Sequence, residues 1–200
     1  MSHELVLLLI GLFYALVFRL LGSLRRESFS FQFILEAVGL TVLAAALSFL
    51  AGIYLNPVLF LVLLYLVTMR VRLLVDLANL SARSGRFGLA ERVYGLAWRL
   101  KPDEPGRQVI AMNQGAVLIL AGRVSEAVPL LNKVLEAPRL SPKYAAATHY
   151  NLGVAYRKQG ETQQAIKHLS AAIEAFPGSV YARRAQALLR KGIEKKSPTA

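Results

Sequence analysis

Residues 149–178 read HYNLGVAYRKQGETQQAIKHLSAAIEAFPG, and this stretch decides the fold. A helix-like segment precedes Gly160 and another follows it, with Ala165 five residues past the glycine. A glycine between two helical segments suits a tight antiparallel turn, because it adopts positive φ without steric cost. A small alanine just inside the second segment lets the two helices touch. Pro177-Gly178 then closes the unit.

The same arrangement recurs upstream. Gly85, Gly122 and Gly160 stand 37 and 38 residues apart, and each is followed five residues later by an alanine: Ala90, Ala127 and Ala165. A period of this length marks a stack of helix pairs, since one pair alone cannot bury its apolar face. The three units occupy 71–104, 108–141 and 146–179, with extra residues in the connections at 102–106 and 136–142. Beyond them, Ser179 is placed to cap a final helix over 180–196. That helix carries Arg183, Arg184, Arg190, Lys191, Lys195 and Lys196, the polar surface that the end of a stack requires. Residues 197–200 read as a disordered tail.

The third unit resembles the tetratricopeptide repeat. The family pattern runs W-x2-L-G-x2-Y, then A, a large residue, A and P. Leu152-Gly153, Tyr156, Ala165, Leu169, Ala172 and Pro177 fall in register, with His149 where the family has tryptophan. The first unit keeps Leu77, Ala78, Ala90, Tyr94, Ala97 and Pro102, with Ser81 in the tyrosine place; the second keeps Gly115, Leu118, Ala127, Leu131 and Val134, its proline one place early at Pro138. The resemblance covers about half the chain and implies an all-α solenoid of three repeats with a capping helix.

The chain ahead of the repeats is of another kind. Overall, 55% of the 200 residues are hydrophobic and the mean hydropathy is +0.44, above the ordinary soluble range. The excess lies in residues 1–69, where only Arg19, Arg25, Arg26, Glu4, Glu27 and Glu36 are charged. Residues 5–21 form one apolar run that nearly crosses a hydrocarbon core of roughly 30 Å. The non-basic start and the Arg25-Arg26 pair behind the run favour an uncleaved helix over a signal peptide. A second stretch breaks at Asn56-Pro57, where proline cannot continue a helix. It divides into spans over 33–54 and 57–73, giving an N-terminal transmembrane region of three helices.

Glu36 is then expected at the interface beside Phe29, Phe31 and Phe33, with Arg70 and Arg72 snorkelling to the headgroups. Three spans put Arg25-Arg26 and Arg70/Arg72 on one side, which the positive-inside rule makes cytoplasmic. That implies an inner or plasma membrane protein with cytoplasmic repeats. No glycine or proline lies between Pro57 and Gly85, so the third span is expected to continue unbroken into the first repeat helix. Gly11 and Ala15, and Ala44, Ser48 and Gly52, recur every four residues and read as close-packing faces among these helices.

The net charge of +12 lies wholly C-terminal of residue 69. A basic domain tethered at a bilayer suits anionic lipid or an acidic partner. Tetratricopeptide repeats resemble one another in binding extended peptides on the face made by the first helix of each unit. The resemblance places Asn79, Asn113 and Asn151 on that face, where amides can hold a peptide backbone. Arg83, Arg157, Lys158 and Arg184 flank it and would favour acidic side chains. The lysine with which some family members clamp a terminal carboxylate is replaced here by Val75.

With no cysteine, thiolate sites and disulfides are excluded. His3, His149 and His168 lie at no metal-ligand spacing, with His149 expected in the repeat core and His168 on a helix surface. No phosphate-binding or nucleophile-elbow motif is present. No enzyme, cofactor or metal is therefore expected. Nucleic acid is not an expected partner, since no interleaved aromatics accompany the charge. The expectation is a membrane-anchored adaptor for a protein or acidic extended peptide, or alternatively an accessory subunit of a secretion, envelope or respiratory membrane complex.

Overall fold

The computed structural model describes residues 2–28 and 30–194. Phe29, Lys195, Lys196 and the tail at 197–200, all named above, lie outside the described residues. The described residues form ten α-helices and no strand.

Helices α1 (His3–Leu24) and α2 (Phe31–Ala51) make an antiparallel hairpin. With 22 and 21 residues they are about 31–33 Å long. Both are long and apolar enough to cross a membrane. Leu7, Tyr14, Ala15, Ala37 and Ala44 face inward, while Leu12, Phe13, Leu43 and Leu50 are exposed on the outside. Gly11 is a true contact: a Cβ there would fall 2.0 Å from Thr41 Oγ1. Gly52 is not. It takes φ 64 and ends α2, three residues short of the expected Tyr54.

Asn56 opens α3 (Pro57–Thr68), its side chain accepting from the Val58 and Leu59 amides, with Pro57 in the first turn. Twelve residues reach only about 18 Å. The continuous helix expected from Pro57 to Gly85 does not form. The chain bends by 69° between α3 and α4 (Arg70–Arg83). At the bend the Thr68 hydroxyl donates to Leu64 O at 2.7 Å and the Arg70 guanidinium to Val67 O at 2.6 Å, so side chains take up carbonyls at the end of α3.

Beyond the bend, α4 pairs with α5 (Phe87–Arg99), α6 (Glu104–Leu120) with α7 (Val124–Leu135), and α8 (Pro142–Gln159) with α9 (Thr162–Ala175). The turn glycines Gly85, Gly122 and Gly160 have φ of 74, 80 and 82, and Ala90, Ala127 and Ala165 are buried at the crossings. A Cβ on Gly115 would meet Leu131 at 2.6 Å, and one on Gly153 would meet Leu169 at 2.7 Å. Gly115 and Gly153 are therefore places where the second helix of the unit presses on the backbone of the first. Helix α10 (Val180–Glu194) closes the stack, Ser179 accepting from the Ala182 amide and Ala185 packing with Leu169 and Ala172.

Three polar rungs fix the repeats to one end of the hairpin. Thr68 and Tyr14 share a hydrogen bond of 2.6 Å, Arg70 grips Glu36 through two nitrogens at 2.5 and 2.6 Å, and Arg72 reaches Glu27 in the α1–α2 loop. Each arginine is paired with an acid of the hairpin. Residues 68, 70 and 72 thus climb to the end that carries Arg25 and Arg26.

Candidate partner-binding groove

The first helices of the units, α4, α6 and α8, line up side by side. On α4 a polar stripe of Arg72, Asp76, Asn79 and Arg83 recurs at helical spacing. Asn79 donates to the Asn113 side chain on α6 at 3.0 Å, and accepts from the Tyr94 hydroxyl at 2.6 Å. Asn113 in turn donates to Val109 O at 2.8 Å. These two amides are drawn into the joint between units, so each keeps only part of its bonding capacity. Asn151, one unit further on, is half-buried. Among the described residues nothing bonds its amide, which leaves it the most open of the three.

The basic residues divide similarly. Arg83, Arg157 and Arg184 are exposed. Lys158 crosses back to donate to Ile119 O at 2.9 Å, satisfying a carbonyl at the end of α6, where a cation is favoured. Val75, in the place of the carboxylate-clamping lysine, is buried in the core of the first unit.

Burial at the other end of the groove follows from the α1–α2 loop. Glu27 accepts from Arg72 of the first unit and from Lys143 of the third, at 2.6 Å for the lysine, with only 6% of its side chain exposed. Burial would push its carboxyl up, but the bonds and charges of Arg72 and Lys143 outweigh this and hold it below the ordinary range. Ser30 donates to the Asp103 carboxylate at 2.6 Å, and Gln32 accepts from the Asp103 amide at 2.8 Å. Arg26 lies over the Phe176 ring, 5.3 Å from its centroid. Tyr144, beside this junction, is buried and its hydroxyl is pushed up to about 12. The loop therefore plugs the groove where α4, α6 and α8 begin, and leaves open the end where they finish.

Residues 107–178 match the family model described as tetratricopeptide repeat. The chain carries tetratricopeptide repeats. The match covers the second and third helix pairs, and the first pair, α4 and α5, repeats their turn glycine and crossing alanine in three dimensions. No curated protein and no solved structure matches the chain. Tetratricopeptide repeats bind protein partners, which suggests an interaction role for this stretch.

The histidines depart from their sequence reading. His149 and His168 lie with Nδ1 atoms 3.0 Å apart, and Tyr156 stacks on His168. Nineteen residues separate them in sequence, but the α8–α9 hairpin folds them together. Burial pushes both down, His168 to about 4 with help from His149 and Lys167. Among the described residues no cluster of three metal-ligating side chains occurs.

Proposed function

We propose that the chain is a membrane-anchored adaptor whose tetratricopeptide groove holds an extended acidic segment of a partner protein at the membrane surface. The observation that carries the reading is the asymmetry of the groove. Its membrane-proximal end is occupied by the chain's own acid, Glu27, between Arg72 and Lys143. Its distal end presents exposed Arg83 and Arg157 in the last turns of α4 and α8, with the open Asn151 amide midway along α8. The chain itself thus supplies an acidic occupant in a loop conformation at one end, and the same charge chemistry is vacant at the other.

Helices α1 and α2 would cross the bilayer, with α3 and the start of α4 together returning the chain to the side where α1 and α2 are joined. Arg25 and Arg26 sit at that same end of the hairpin as the repeats, so the positive-inside rule supports a cytoplasmic groove in an inner or plasma membrane.

Co-purification of the full chain in mild detergent is the test. An adaptor brings down a soluble partner whose retention weakens as salt rises, since exposed charges are screened within about 8–10 Å. Stoichiometric recovery of other membrane proteins, insensitive to changes at Arg157 and Arg184, would replace this reading with that of a membrane-complex subunit. A reporter active only outside the inner membrane, fused after Ala200, is expected to be silent.

A further inference from the structure

Helix α4 opposes two faces. Arg72, Asp76, Asn79 and Arg83 recur on the groove side, while Leu73, Leu77 and Leu80 recur on the other. Leu77 and Leu80 are 49% and 61% exposed, at the open start of the stack where no earlier unit covers them. A solenoid ordinarily closes such an end with a polar helix, as α10 does at the far end.

We propose that this face of α4 docks on lipid, so that the first repeat helix lies in the headgroup layer and the repeats rest on the membrane instead of projecting from it. The proposal rests on the membrane reading of α1 and α2. Three observations select lipid as the occupant. Helix α4 leaves the apolar α3 at a single residue, Met69, and at 69° to it. Because α3 packs along α1 and α2, a helix so inclined to it runs across the hairpin more than along it. Second, the start of α4 lies against the end of the hairpin: Leu73, with Arg72 and Asp76, lines the same cavity, of about 460 Å³, as Leu21, Gly22 and Arg25 at the end of α1. Third, the exposed leucines continue the apolar surface that α3 exposes at Leu63, Leu66 and Val67, as an interfacial helix adjoining a membrane segment does.

The cysteine-free chain permits a direct measurement. Leu77→Cys, Leu80→Cys and Arg83→Cys are each labelled with an environment-sensitive fluorophore in the full chain, in lipid nanodiscs; Leu12→Cys, on the exposed face of α1, serves as the anchor control. Nitroxide lipids labelled near the headgroup are expected to quench probes 77 and 80 several-fold more than probe 83, with the order reversed for aqueous iodide. If probes 80 and 83 respond alike while probe 12 is quenched by deep nitroxides, the docking is wrong and the anchoring stands. If probe 12 is not quenched either, the anchoring itself fails. Shielding of probe 80 from iodide without lipid quenching, together with chain-to-chain cross-linking through Leu80→Cys, would overturn the proposal in favour of a second copy.

Discussion

Replacing Glu27 by glutamine removes one negative charge from between two cations and keeps the side chain's size. Glu27 is almost wholly buried, whereas Arg72 and Lys143 keep 43% and 34% of their side chains exposed. A bond to a charged group contributes about 1.5–3 kcal/mol. Breaking a fully buried pair costs about 3–5 kcal/mol, because a charge is stranded. Here water can partly solvate the two cations, and the glutamine oxygen still accepts one bond. We therefore expect a loss of about 1–3 kcal/mol, felt at the joint between hairpin and repeats. Hydrogen exchange of the full chain in detergent reads this locally. Glu27→Gln is expected to speed exchange over residues 25–32 and at the starts of α4 and α8, with α9 and α10 unchanged. The pH dependence has a fixed sign. Because the folded carboxyl titrates below its ordinary value of 4.5, its contribution is present above that value and is lost as pH falls through the folded one; Glu27→Gln is expected to abolish that acid-side loss. Unchanged exchange at all three sites in the variant would show that the shared carboxylate does not hold the joint.

Asn151→Ala is expected to weaken a captured partner about tenfold without lowering the melting temperature, while Asn113→Ala costs about 1–2 kcal/mol of stability, since it strands the Asn79 donor; a peptide-binding titration and a thermal melt separate the two. Gly153→Val is expected to destabilise the third unit by about 1–3 kcal/mol through overpacking against Leu169, read as loss of cooperative melting by circular dichroism. Stability is expected to fall as pH drops from His168's ordinary 6.5 toward about 4, because only the unfolded chain binds that proton in this window; His168→Gln is expected to flatten this stretch of the melting-temperature profile.

The repeat architecture was legible because its signals are local. A turn glycine, a crossing alanine five residues later and a Leu-Gly pair each report one backbone constraint, and Gly85, Gly122 and Gly160 repeat it at almost constant period. What escaped depends on which distant groups meet. The bend falls at Met69, between Thr68 and Arg70, whose side chains bond neighbouring carbonyls, and no glycine or proline stands there to mark it. Glu27 entered only as one charge in a balanced segment, since its two partners lie 45 and 116 residues away. Asn79 and Asn113 were expected side by side on the first helices, and their mutual bond, which reduces what they can offer a ligand, depends on the packing of α4 against α6. The His149–His168 contact is hidden by a spacing of nineteen residues that only an antiparallel hairpin closes.

The position of Glu27 couples the hairpin to the shape of the groove. Arg72 belongs to the first unit and Lys143 to the third, yet both end on one carboxylate, so the curvature of the stack at this end is closed by a residue of the α1–α2 loop. Each unit of a solenoid touches only its neighbours, and its curvature is otherwise the sum of small rotations between units. A bond that skips a unit removes that freedom. A partner that opened the groove would have to separate Arg72 from Lys143 and break at least one of these bonds. Conversely, a tilt of α1 against α2 that withdrew the loop would release both cations into the groove. Binding at the repeats and geometry at the hairpin are then linked through one side chain, and the link is reciprocal in free energy.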